Sequence, residues 1–224
     1  MKRSEINARI EAAMERARRQ GVCLPPFSRW TPEDWARRGR ECDEIRENML
    51  GWDVTDYGHG DFGAVGLLLF TLRNGNLRQP RYAKAYAEKM LLSEPDQLSP
   101  NHYHWHKMED IINRGGGDLR VQVWNAAADD SLAESDVAVR MDGWARTVPA
   151  GTVLRLAPGE SITIPPRLYH AFWAERETVL AWEVSMVNDD NTDNRFYEEQ
   201  LRFTRIEEDE PARHLLCNEY PKAR

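Results

Sequence analysis

Asn101-His102-Tyr103-His104-Trp105-His106-Lys107-Met108-Glu109 puts two histidines at i and i+2, with a carboxylate five residues beyond the second. Side chains alternate across a β-strand, so His102 and His104 share a face and can grip one cation. Glu109 lies past a bend and can swing back to add an oxygen. His170 follows some sixty residues later and closes the set from a distant strand. Three imidazoles and one carboxylate leave two positions of an octahedral shell open for substrate or water oxygens. Such a donor set suits Mn²⁺ or Fe²⁺, with Co²⁺ and Zn²⁺ as competitors.

On either side of this stretch the chain reads as strands. Val65 to Arg73 is apolar and ends at Asn74-Gly75, a hairpin-type turn. Tyr82 to Ala87 alternates and fits a strand or a short helix. After the Asn113-Arg114-Gly115-Gly116-Gly117 bend, Leu119–Trp124, Val137–Met141 and Val153–Leu156 alternate cleanly. Ser161–Ile164, Ala171–Ala174 and Val179–Val184 complete the series. Short strands punctuated every eight to twelve residues by turn signals predict a β-barrel or sandwich.

The first sixty residues differ. Ser4 is a helix cap for a segment running to about Gln20, with Ile6, Ile10, Ala13 and Met14 on one face. Thr31-Pro32-Glu33-Asp34 starts a second helix, expected to reach Leu50-Gly51. The expected organisation is one domain over 1–224: a helical extension (1–60), a barrel core (61–187) and a C-terminal segment packed on the barrel (188–224).

With 224 residues, 41% hydrophobic and 30% charged, the chain can bury one substantial core. No apolar run approaches the length of a membrane span. Cys23, Cys42 and Cys217 are odd in number and form no CxxC, which argues against a disulfide framework or a zinc ribbon. The N-terminus shows no secretory signal, so the expectation is a cytoplasmic protein. A net charge of −7 speaks against nucleic-acid binding through phosphates.

The two histidine-bearing stretches resemble the paired motifs of the cupins. His102, His104, Glu109 and Gly115 match the first. Gly159, Pro165 and His170 match the second, with Arg167 where the pattern prefers glycine. The chain resembles the D-lyxose isomerase family of cupins more closely still. The likeness runs through His102–Trp105, Lys107, Glu109–Gly117, Tyr169–Glu175 and Asn188–Phe196, and extends to both ends of the chain. It implies a mainly β cupin (double-stranded β-helix) barrel with an N-terminal helical extension. It also implies a manganese-preferring, cytoplasmic, homodimeric isomerase acting on D-lyxose/D-xylulose and D-mannose/D-fructose. His102, His104, Glu109 and His170 are then the metal ligands.

Aldose–ketose isomerisation moves one proton between C2 and C1 and another between their oxygens, through a cis-enediol. It calls for a Lewis acid and for a base within reach of the carbon. Lys107 and Glu183 are the candidate catalytic residues. Glu183 stands in the apolar run Leu180-Ala181-Trp182-Glu183-Val184, where a carboxylate needs a partner or a polar cavity. Asp193, Arg195 and Trp105 are candidate substrate-binding residues, the first two as a lid over the sugar. His106 falls outside the motif. A phosphosugar isomerase, another metal-dependent cupin enzyme and a non-catalytic sugar-binding cupin remain open alternatives.

Overall fold

The computed structural model describes residues 1–223. Three α-helices come first: α1 (Arg3–Arg19), α2 (Pro32–Ala36) and α3 (Asp43–Glu47). Thirteen strands follow. The first seven are β1 (Gly51–Thr55), β2 (Leu67–Arg73), β3 (Tyr86–Ser93), β4 (Ser99–His104), β5 (Glu109–Gly115), β6 (Asp118–Asn125) and β7 (Val137–Met141). The rest are β8 (Trp144–Val148), β9 (Val153–Leu156), β10 (Ser161–Ile164), β11 (Leu168–Glu175), β12 (Val179–Met186) and β13 (Asn194–Phe196).

The strands pair antiparallel into two sheets, in the orders β1-β2-β3-β12-β5-β10-β7-β8 and β13-β4-β11-β6-β9. Their facing sides enclose one core built from Leu69, Leu91, Ile111, Val121, Ile162 and Phe172, among others. This is the mainly β cupin barrel expected above. The larger sheet is buried on its outer side too. There Trp52, Val54, Leu68, Phe70, Met90 and Leu180 meet Ile6, Ile10, Ala13 and Ala17 of α1. Burial on both faces explains why β2 reads Leu67-Leu68-Leu69-Phe70 without alternation. The stripe at i, i+4, i+7 and i+11 is what docks α1.

Several local expectations change. Ser4 lies inside α1, whose N-cap is Lys2, and its side chain bonds Asp209 instead. Thr31 and Asp34 do form a reciprocal capping box with Pro32 at the first position. The helix nevertheless stops at Ala36; a short 3-10 turn (Arg40–Cys42) follows, and the chain is already in β1 at Gly51. Gly39, extended at φ −88° and ψ −156°, breaks the helical run. Asn74-Gly75 is no tight hairpin, because β3 begins only at Tyr86. Asn74 is buried and ties Asn48 to Asn188. β1, β5, β8 and β13 have no counterpart among the expected strands, and β5 runs through Asn113-Arg114-Gly115, where a bend was expected.

The C-terminal segment returns across the molecule. Leu216 bridges to Trp52, and Arg3 of α1 is gripped by Glu208 and Glu219. Between β12 and this anchor, residues 188–203 run over the open end of the barrel, with β13 adding an edge strand beside β4.

Candidate metal centre

The smaller sheet supplies the imidazoles. β4 and β11 are neighbours, with His102 opposite His170 in register, so strand alternation turns His102, His104 and His170 to the same inner face. One ring nitrogen from each lies within 4.8 Å of the others. The larger sheet faces them with charge. Glu109 opens β5, Glu183 lies on β12 and Lys89 on β3, with Glu183 and Lys89 directly paired across strands. Lys107 enters from the β4–β5 connection. All these residues line one cavity of about 40 Å³.

The rings are oriented for an ion. His102 Nδ1 donates to the Pro100 carbonyl (2.8 Å), His104 Nδ1 to that of Asp193 (3.1 Å) and His170 Nδ1 to that of Leu168 (3.1 Å). A carbonyl only accepts, so each Nδ1 carries the hydrogen and each Nε2 a lone pair. Those lone pairs meet another acceptor. His170 Nε2 is 3.1 Å from Glu109 Oε1, and His104 Nε2 is 3.5 Å from Glu109 Oε2. His170 Nε2 is buried with no hydrogen-bond partner, whereas Glu109 Oε2 has the Lys107 ammonium beside it. Acceptor against acceptor in a buried site is unfavourable, and a cation between them removes the conflict. The four residues fit a divalent metal.

Electrostatics point the same way. Burial pushes His102 and His104 below the usual imidazole range, and nearby rings and Lys107 add to the effect; the neutral form is the one that ligates. Burial by itself raises the Glu109 carboxyl, but Lys107 and His104 outweigh it and hold the group well below the carboxylate range. Burial lowers Lys107, yet Glu109 and Glu183 outweigh that and hold it above the usual lysine range.

Beside the imidazoles runs a chain of buried charges. Lys107 Nζ lies 2.6 Å from Glu109 Oε2 and donates to Glu183 Oε1 at 2.9 Å. Lys89 Nζ donates to Glu183 Oε2 at 3.3 Å, and both ammoniums reach Asn188 Oδ1, at 2.6 Å from Lys89 and 3.0 Å from Lys107. The bend after β4 thus brings Lys107 inward, and Glu183 has both a cavity and partners.

The three candidate sugar contacts sit elsewhere. Both Asp193 carboxylate oxygens accept from backbone N–H groups, those of His106 (2.8 Å) and Lys107 (2.9 Å), so Asp193 shapes the Lys107 bend. Arg195 is exposed on β13, while its neighbours Asn194 and Phe196 line the cavity; the expectation was out of phase by one residue. Trp105 packs edge-on against Tyr103 and under the Arg167 guanidinium, outside the cavity. His106 is exposed. Arg167 adopts φ +63°, the left-handed conformation that makes glycine the usual choice there. It is held by Asp130 and the Ala127 carbonyl.

Sequence reasoning missed Lys89, Asn188, Asp190 and Arg202. Lys89 carried a signal, an ionisable residue leading into Met90-Leu91-Leu92 on the same face as Leu91. The other three stand on irregular chain with no period to read. Arg202 Nη2 is 2.7 Å from both Asp53 Oδ2 and Asp190 Oδ2. Burial works to raise the Asp190 carboxyl, but Arg202 first, then Lys89 and Lys107, hold it well below the usual range.

A sequence model of the D-lyxose isomerase family matches residues 1–220. The D-lyxose/D-mannose isomerase of Escherichia coli O157:H7 is 48% identical over 227 residues, covering 100% of each chain. The D-lyxose/D-mannose isomerase of Serratia proteamaculans is 49% identical over 98% of each. Among solved structures, an Acinetobacter sp. DL28 L-ribose isomerase variant in complex with L-ribose superposes with a TM-score of 0.65 at 14% identity, over 92% of this chain and 98% of the other. A Cellulomonas parahominis L-ribose isomerase with no ligand gives 0.59 at 16% identity over the same shares. At such identities the structural likeness speaks for the fold alone.

Proposed function

The chain belongs to the D-lyxose isomerase family and is an isomerase, and from that premise we propose that it interconverts D-lyxose with D-xylulose and D-mannose with D-fructose, metal-dependently, through a cis-enediol. The observation that carries the reading is the cavity itself. Three inward Nε2 lone pairs and Glu109 face the Lys107–Glu183–Lys89 chain across the cavity.

His102, His104, Glu109 and His170 hold the ion. When bound, Mn²⁺ supplies a Lewis acid that makes the carbon-bound proton of the open-chain sugar more acidic. Glu183 takes the proton from C2 of the aldose and returns it to C1. Lys107, clasped between Glu109 and Glu183, presents N–H groups to the sugar oxygens and passes the proton of O2 to O1. Lys89 keeps Glu183 aimed. Trading one carbon proton and one oxygen proton leaves the ketose with the atoms of the aldose.

The same reading takes the cytoplasm as the compartment, a homodimer as the working assembly and residues 1–224 as one domain; the family likeness supports these. No helix among the described residues is long and apolar enough to cross a membrane. Asp190, Asn194, Phe196 and Arg202 of residues 188–203 line the cavity, so this segment stands beside any sugar that enters.

The test is to strip the protein with a chelator, restore Mn²⁺ and follow D-lyxose and D-mannose by NMR in D₂O. Expected are D-xylulose and D-fructose only after metal is restored. Undiminished turnover by the stripped protein, or none after restoration, overturns the proposal.

A further inference from the structure

Among the described residues, several buried side-chain atoms that lack a hydrogen-bond partner belong to residues lining this one cavity. They are His170 Nε2, Glu109 Oε2, Ser99 Oγ and Arg202 Nη1. The first two are acceptors: a metal ion accounts for His170 Nε2, and Glu109 Oε2 already has the Lys107 ammonium 2.6 Å away. Arg202 Nη1 is a donor carrying positive charge, so no cation can satisfy it. A buried N–H left without an acceptor is costly, and native structures retain one chiefly where a ligand or water supplies the missing oxygen.

The surroundings of Arg202 narrow what that oxygen is. Its other arm, Nη2, is committed to Asp53 and Asp190, both buried. The backbone on either side is tied to the end of β1: Thr55 Oγ1 donates to the Arg202 carbonyl and Leu201 N–H to that of Tyr57. The guanidinium is therefore fixed in place before any ligand arrives. The guanidinium's charge is already met by two carboxylates, so its free N–H is offered without a surplus positive charge of its own. A neutral hydroxyl is the acceptor it suits. The metal-binding end of the cavity lies on β4, β5 and β11, whereas Arg202 lies on the segment that roofs it.

Resting on the isomerase reading above, we infer that Arg202 is a specificity-determining residue. Its free N–H receives a sugar hydroxyl at the end of the chain remote from C1 and C2, and Asp53 and Asp190 hold that donor in place. This extends the donor set from the reacting carbons to the far end of the substrate. It assigns selection to a residue that takes no part in the proton transfers.

The experiment uses Mn²⁺-loaded enzyme, the variants Arg202→Met and Arg202→Lys, and D-lyxose beside its 4-deoxy and 5-deoxy analogues. Loss of one charge-assisted hydrogen bond raises KM for D-lyxose about tenfold to a hundredfold, with a smaller change in kcat. The wild-type-to-variant penalty should collapse toward unity on whichever analogue lacks the partner hydroxyl. Arg202→Lys keeps an ammonium between Asp53 and Asp190 but loses the second arm, so it reports the same dependence if the methionine variant does not fold. Metal content stays at the wild-type level. An equal penalty on all three sugars makes Arg202 merely structural and overturns the inference, as does an unchanged KM. Failure of the wild type to isomerise D-lyxose at all overturns the isomerase reading instead.

Discussion

The floor and the roof of the cavity are built on opposite plans. The floor sets His102, His104, His170, Glu109, Glu183 and Lys89 on five paired strands, whose ladders fix each side chain. The roof is the irregular stretch 188–203, held by a three-residue strand, Asp193 against two backbone N–H groups, and Arg202 between Asp53 and Asp190. Chemistry that needs fixed distances rests on the floor. The roof is held by side-chain and end-of-strand ties instead.

The contrast is broken first by attacking the floor. Glu183→Gln keeps the shape of the side chain but removes the proton acceptor. The expected result is a fall in kcat of about 10²–10⁴-fold with metal content unchanged. Deuterium exchange at C2 of D-lyxose is expected to fall in parallel. A variant that still exchanges that proton at the wild-type rate moves the base elsewhere.

A roof substitution has a smaller and different effect. Asp193→Ala leaves the His106 and Lys107 backbone N–H groups without their acceptor, and the second of these residues is buried. Each such orphan costs about 1–3 kcal/mol. Urea unfolding should show a loss in that range, with a modest drop in activity through a misplaced Lys107. A collapse of kcat as deep as that of Glu183→Gln, with stability intact, makes Asp193 a participant in the reaction.

The smallest effect is expected one residue pair further on. Arg195 points to solvent between two inward neighbours, so Arg195→Ala should keep stability within about 0.5 kcal/mol of wild type. Its kcat/KM on D-lyxose should stay within about twofold. A larger change in KM reinstates Arg195 as a sugar contact.

The same division sets what could be read from the chain. The histidines and Glu109 declare themselves because a strand has period two and a metal needs converging donors. Glu183 declares itself because a carboxylate in an apolar strand demands a partner. The barrel follows from repeated alternation. By contrast, Arg202 and Asp190 meet at the cavity only through the path of residues 188–203, which no local period encodes. Arg195 was chosen over its inward neighbours because the phase of a three-residue strand is set by pairing with β4 rather than by its own pattern. The long second helix failed for a comparable reason. Thr31-Pro32 starts a helix correctly, but its length is decided by Gly39 and by where β1 must begin.

The central claim is one ion held by four side chains from β4, β5 and β11. Anomalous diffraction at the manganese edge, on crystals grown with Mn²⁺, tests it most directly. The account predicts a single strong peak per chain in contact with His102, His104, Glu109 and His170, absent from crystals of His104→Ala. No peak there, or one that survives in the variant at full height, contradicts it.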